Sequence, residues 1–199
     1  MMSDLILASK SKHRAQLLEN AGVEFQTISA QIDEREVEAP ILKAGLGASD
    51  VAEVLAIAKA TEVSGRYSAS FVIGCDQTLS FQGNLIHKPK DMEEAHRRLL
   101  ALSGKSHRLN SAVALVSNGE VLWSYVESCQ ITFRKLDPAF IGRYTSSAGD
   151  KILSSVGAYQ IEGIGINLIE KIEGDFFSII GLPLLPLLAE LRNRELIDG

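Results

Sequence analysis

Hydrophobic positions along the chain change period several times, and each change marks an element. Leu5-Ile6-Leu7-Ala8 is a short unbroken apolar run, the pattern of a strand buried on both faces. Ser9-Lys10-Ser11 then offers N-cap candidates, and the spacing predicts a helix to about Ala21 with Gly22 as its C′ stop. A polar stretch, Gln31-Ile32-Asp33-Glu34-Arg35-Glu36, precedes a second helix expected near Ser49-Asp50. Asp50 and Glu53 there have capping-box spacing, and Val51, Leu55 and Ala58 share a face beside Lys59. Phe71-Val72-Ile73-Gly74-Cys75 reads as another buried strand, which puts Asp76 at its carboxyl end. Open α/β sheets collect ligands outside such ends. The capping pair Asp91/Glu94 and the stripe Ala95, Leu99, Leu102 predict a helix that stops by Gly104.

The period then shortens. Residues 111–116 and 120–133 carry apolar and β-branched runs on either side of Asn118-Gly119, a pair that tolerates the left-handed backbone of a type I′ hairpin turn. Asp137-Pro138 places an N-cap before a proline at N1, starting a helix through Phe140, Ile141 and Tyr144. A last strand is expected near residues 166–172. Gly181-Leu182-Pro183 then leads into a helix bearing Leu184, Leu187, Leu188 and Leu191. Strands alternating with helices indicate an α/β fold. The chain shows no repeats, low-complexity segment or flexible linker.

Composition narrows the setting. With 199 residues, 46% of them hydrophobic and 23% charged, the chain can bury a core without disulfide or metal staples. No segment reaches the roughly 18 apolar residues of a membrane span. Met1-Met2-Ser3-Asp4 does not begin like a signal peptide, so a cytoplasmic protein is expected. Cys75 and Cys129 fit no metal spacing and are expected as free thiols. A net charge of −5 argues against broad nucleic-acid binding, so any positive charge that matters must be local.

Local positive charge does occur. Ser9 to Arg14 sets hydroxyls and three cations, Lys10, Lys12 and Arg14, at a helix start whose dipole favours anions; Arg14 could fork two phosphate oxygens. A cap serves as well for a purely structural helix start. Asp76, after an apolar strand, must be solvated, paired or metal-bound. Asp33-Glu34 offers the oxygen ligands that Mg²⁺ or Mn²⁺ prefers, or a solvated acidic surface. Lys59 and Lys88 could neutralise a polyphosphate. Cys75 reads as a core thiol rather than a nucleophile, and His13, His87, His96 and His107 form no zinc signature. Gly157, Gly163 and Gly165 around Tyr159-Gln160-Ile161-Glu162 suit either close approach to a ligand or turns and bulges in a strand region.

Taken in order, these segments resemble the Maf family of nucleotide pyrophosphatases. The resemblance spans Leu5 to about Leu191. It is carried by Leu7-Ala8-Ser9-Lys10-Ser11 with Arg14-Ala15-Gln16-Leu17-Leu18, Asp33-Glu34, Ala58-Lys59-Ala60, Gly74-Cys75-Asp76, Lys88-Pro89 and Leu102-Ser103-Gly104-Lys105-Ser106-His107. Gly157-Ala158-Tyr159, Ile172-Glu173-Gly174-Asp175 and Gly181-Leu182-Pro183-Leu184 complete it. The resemblance implies a Maf and ITPase-like α/β fold, a mixed twisted sheet with flanking helices, read as one domain over 1–199 whose two lobes enclose a cleft. It implies hydrolysis of a nucleoside triphosphate between its α and β phosphates with a divalent cation, Mg²⁺ or Mn²⁺. The family's general base falls on Asp76, which also shares the metal with Glu34. Asp33 and Glu173 are the other acidic candidates. Its phosphate positions fall on Ser9, Arg14, Lys59 and Lys88, with Gln160 nearby.

Departures from the family pattern bear on specificity. The motif Ser-Pro-Arg-Arg is here Ser11-Lys12-His13-Arg14, and the residue after the aspartate is Gln77 where members resembling dTTP/UTP enzymes have Thr. Their later Gln is Glu162. Gln77 and Glu162 match members acting on 7-methyl-GTP, and a carboxylate can accept from a guanine-type N–H edge. His13 replaces their Trp, and His87 stands where Gly usually precedes the lysine. The expectation is a house-cleaning enzyme for a modified purine triphosphate, binding neither nucleic acid nor membrane, with a homodimer by family analogy. The second reading implied by the family is a noncatalytic, nucleotide-binding regulator of septum formation.

Overall fold

Seven strands form one mixed sheet in the computed structural model, which describes residues 4–198. They are β1 (Leu5–Ala8), β2 (Gln26–Thr27), β3 (Phe71–Phe81), β4 (Asn84–Ile86), β5 (Ser106–Ser117), β6 (Glu120–Phe133) and β7 (Ile169–Glu173). The order is β2-β1-β3-β5-β6-β7, with β4 paired to the far end of β3. β2, β1 and β3 run parallel, and every other pairing is antiparallel. The helices are α1 (Lys12–Asn20), α2 (Glu34–Lys43), α3 (Ala48–Arg66), α4 (Met92–Leu102), α5 (Pro138–Ala148), α6 (Phe176–Ile180) and α7 (Leu184–Asn193). Two 3₁₀ segments, Gly149–Ser154 and Ile164–Leu168, complete the regular elements of the described residues.

Local chemistry explains most of the boundaries. Ser11 caps α1 by accepting from the Arg14 N–H. The helix ends in a Schellman motif: Gly22 N–H donates to Glu19 C=O, Val23 N–H to Leu18 C=O, and Gly22 has φ +72°. Asn118 and Gly119 both take positive φ, as a type I′ turn requires, and the two longest strands meet across them. Asp137 caps α5 with Pro138 in its first turn.

Packing divides the sheet lengthwise. One core gathers Leu5, Leu7, Leu18, Ile73, Val113, Leu115, Leu187 and Leu191; a second gathers Leu79, Leu99, Leu109, Ile131, Phe133 and Ile141. β3 and β5 contribute to both, so their polar midpoints lie between two hydrophobic bodies. On the opposite face α3 lies close because small residues meet there: Ala52, Ala56, Ala112 and Ala114 pack together, and Gly74 faces Ala56 and Ala60.

The edge of β3 explains the cleft. β1 pairs with it only as far as Gly74, and β4 pairs from Leu79 onward. Residues 75–78 therefore have no strand partner on that side, while β5 holds them rigidly on the other, with Asp76 opposite Ala112 and Gln77 opposite Ser111. Asp76 is thus in mid-strand and not at the strand's end as expected. β5 supplies antiparallel partners as far as Ser80, so the strand does not stop where its parallel neighbour does.

Three other expectations need correction. The polar stretch winds into α2, because Asp33 accepts from the Arg35 and Glu36 N–H groups and nucleates a helix that a charged sequence conceals. α3 begins with Gly47 as N-cap; Asp50 is its N3 residue, accepting from the Gly47 N–H at 2.8 Å. Residues 164–168 form a 3₁₀ segment in front of β7, and the stretch from Gly157 to Gly163 is turns rather than strand.

Candidate functional site

The gap in the β3 edge opens into a cleft of about 690 Å³ lined from β1, α1, α2, α3, β3 and β4. Its centre is an ion triad. Period-two alternation sends Asp76 toward α3, where Lys59 lies one position before the Ala60 that touches Gly74. Lys59 Nζ donates to Asp76 Oδ1 at 2.5 Å and pairs with Glu34 Oε1 at 2.6 Å. Asp76 is 7% exposed, and the Lys59 side chain 14%. Burial of one charge is costly unless another pairs with it, which is why the lysine and carboxylate are found together. Glu34 is placed by the Asp33 cap at the start of α2 and is half exposed. Partial burial works to raise its pKa, but the charge and hydrogen bond of Lys59, with Lys88 and Arg14 beyond, outweigh it and hold the carboxyl below its ordinary value. Asp76 Oδ2 has no hydrogen-bond partner among the described residues.

Arg14 anchors the opposite wall. Its Nε donates to Gly181 C=O at 2.7 Å, and Nη1 donates to Cys75 C=O at 3.0 Å and to Ser9 Oγ at 3.2 Å. The Cys75 carbonyl is one of those left open by the sheet edge, and Arg14 closes it. The expected fork onto two phosphate oxygens is not available in this arrangement, since only Nη2 is uncommitted among the described contacts. Lys10, Lys12, Arg14, Arg35, Lys59 and Lys88 line the cleft against only three carboxylates, Glu34, Glu38 and Asp76. A chain of net charge −5 thus surrounds one cavity with cations, the local field that a polyphosphate needs.

Beyond Gln77 the cleft narrows into a small recess lined by His13, Gln77, Tyr159, Gln160, Glu162 and neighbours. Gln77 points to the face opposite Asp76. Its Nε2 donates toward Ser111 Oγ, Ser178 C=O and Ile179 C=O at 2.9, 3.1 and 3.0 Å. The amide nitrogen is saturated, so its oxygen is the group that remains for a ligand. His13 Nδ1 meets Glu162 Oε1 at 2.9 Å across the mouth of the recess. Gln160 lies here, 3.4 Å from His13 Nε2, and lines the recess with His13, Gln77 and Glu162 rather than the main cleft with Lys59 and Lys88. Buried His107 supports the recess from beneath, its Nε2 2.8 Å from Tyr159 Oη.

Comparison with known proteins now identifies the scaffold. The model of Maf-like proteins matches residues 4–194. The chain belongs to the Maf family. It is 58% identical over 199 residues to a protein of Brucella abortus named 7-methyl-GTP pyrophosphatase, covering all of both chains. Proteins of the same name from Mesorhizobium japonicum and Rhizobium meliloti are 57% identical over 199 residues and 51% identical over 195, covering 100% and 98% of both chains.

Within this Maf scaffold several candidates take definite places. Ser9, Arg14, Glu34, Lys59, Asp76 and Lys88 all line the one cleft. Asp33 is occupied as a helix cap, and Glu173 is exposed on β7, paired with Lys171 and Gln130 away from the cleft. That leaves Glu34 beside Asp76 as the acidic pair. Among the described residues no group of three or more His, Cys, Asp or Glu side chains is arranged for a metal. Two carboxylates facing a cation-lined cavity nonetheless suit Mg²⁺ or Mn²⁺, which are held by one or two carboxylates together with substrate phosphates and water. The Cys75 thiol is fully buried and pushed up to about 11 by that burial, so it is unsuited to nucleophilic attack. Sequence reasoning missed Arg35, Glu38 and Ser111. The first two became legible only once α2 was recognised, and Ser111 only through its register with Gln77.

Proposed function

We propose that this protein hydrolyses a nucleoside triphosphate to the monophosphate and pyrophosphate, with 7-methyl-GTP as its preferred substrate. The observation that carries this reading is a cation-lined cleft with the buried, Lys59-paired carboxylate of Asp76 at its floor, next to a recess of hydrogen-bond acceptors. The triphosphate lies along Ser9, Arg14, Lys59 and Lys88, where opposing charge offsets its own. Asp76 orients a water through Oδ2 and takes its proton as it attacks the α-phosphorus, while Lys59 fixes Oδ1. Glu34 and Asp76 would hold the divalent ion, which when bound supplies charge neutralisation and polarisation of the phosphoryl group. Positioning and electrostatics supply most of the acceleration.

Base selection follows from the recess. The free oxygen of Gln77 and the carboxylate of Glu162 are both acceptors, suited to the N–H edge of a guanine, and 7-methylation puts positive charge on the ring near Glu162. Relatives that share more than half of the sequence bear a name with this substrate. The two cores joined through β3 and β5 support reading the chain as one domain of two lobes. Pyrophosphate release from 7-methyl-GTP, GTP, dTTP, UTP and ITP with Mg²⁺ or Mn²⁺ tests the proposal. Highest kcat/KM on 7-methyl-GTP, and loss of that preference in Glu162→Gln, are expected. A pyrimidine triphosphate as best substrate would remove the base assignment, and no turnover by folded protein would remove the enzymatic one.

A further inference from the structure

Arg98 lies on α4, outside the residues assigned to the chemistry, yet it touches both sides of the site. Its side chain is only 10% exposed and its charge is met by Glu94 one turn earlier, Nη2 to Oε1 at 2.8 Å. Nη1 is shared between two main-chain carbonyls far apart in sequence, those of His87 and Val156. The second contact is 2.6 Å long. No other described hydrogen bond reaches either carbonyl. His87 precedes the phosphate-side Lys88, whereas Val156 lines both the cleft and the recess and leads through Gly157 to Tyr159 and Gln160. Neither segment is held here by strand pairing.

We infer that Arg98 is a positioning residue that ties the phosphate-side loop to the base-side loop and so fixes the spacing across which one nucleotide must reach. This rests on the proposed pyrophosphatase reading for its kinetic consequence, but not for its structural one. A planar guanidinium suits the task because its donors are fixed relative to one another. A neutral unbranched residue takes the cation from Glu94, which keeps only the Lys90 N–H as a donor, and frees both carbonyls, so the two loops should loosen together.

The test uses Arg98→Met and Arg98→Lys in the full chain, with two readouts. Amide exchange should show residues 86–90 and 154–160 losing protection together in Arg98→Met, with β3 and β5 unchanged. If wild type turns over a nucleoside triphosphate, KM for it should rise about tenfold or more in Arg98→Met while kcat changes less; Arg98→Lys, which keeps the charge but not the fork, should fall between. No wild-type turnover would defeat the enzymatic reading and leave the exchange result to decide the coupling. Exchange altered at one loop alone, or at neither, would overturn the inference, as would an unchanged KM in a wild type that is active. Should Arg98→Met fail to fold, Arg98→Lys carries the same comparison.

Discussion

Replacing Gly74 by alanine should damage stability and chemistry together. A Cβ at that position would stand 2.0 Å from the Ala56 carbonyl oxygen, 2.8 Å from Ala60 Cβ and 2.9 Å from Ala60 N. Ordinary contact is about 3.5 Å, so α3 and β3 must separate by roughly 1.5 Å. Two of the obstructing atoms are backbone, which cannot swing aside, and this places the cost at the upper end of overpacking, about 3 kcal/mol. For a chain of this length each kcal/mol lowers Tm by about 2–4 °C, giving a fall of about 6–12 °C. The same separation lifts Lys59, adjacent to Ala60, from its 2.5 Å contact with Asp76. Activity should therefore fall on the order of 10²-fold even below the melting temperature. Thermal melting followed by circular dichroism, and pyrophosphate release measured well below Tm, check both parts. A Gly74→Ala protein that melts within about 1 °C of wild type and keeps its kcat would refute the claim that close packing of α3 on β3 sets the triad.

The sequence carried much of this site, for physical reasons that can be named. Asp76 stood out because a carboxylate after an apolar run needs an explanation, and Ser9 and Lys59 because they offered a hydroxyl at a helix start and a cation to a polyphosphate; each proved buried or nearly so. Asp91 and Asp137 were legible as caps, each a short polar side chain ahead of a periodic stripe. α2 was not, because Glu34, Arg35, Glu36 and Glu38 give it a mostly charged surface, and its buried positions, Glu38 and Ile41, include a carboxylate. The extension of β3 past Asp76 was hidden as well. Gln77, Thr78 and Ser80 are polar, and pairing with β5, joined by β4 at Ser80, keeps them extended. Arg14's commitments to Ser9, Cys75 and Gly181 are tertiary, and no local pattern announces a contact 167 residues away.

Two further results are expected. Burial holds His107 neutral, with its pKa lowered to about 4, while the unfolded chain takes up a proton near 6.5. Its contribution is full above about 6.5 and is lost as pH falls toward about 4, a change of about 3 kcal/mol; urea unfolding at pH 7.5 and 4.5 should show a smaller acid loss in His107→Phe than in wild type, and parallel losses would contradict this. Asp33→Ala removes the acceptor for two N–H groups at the start of α2 and should cost about 1 kcal/mol. Because Glu34 follows the cap, the affinity for Mg²⁺ in the presence of nucleotide should also weaken, a change that titration of activity against Mg²⁺ would detect or exclude.

If Asp76 directs water at the α-phosphorus of a nucleoside triphosphate, the solvent oxygen must end on the monophosphate. Hydrolysis of 7-methyl-GTP in ¹⁸O-labelled water, with mass analysis of both products, tests it most directly. One ¹⁸O is expected in the nucleoside monophosphate and none in the pyrophosphate, with loss of the reaction in Asp76→Asn. Label in the pyrophosphate, or undiminished turnover by Asp76→Asn, would contradict it.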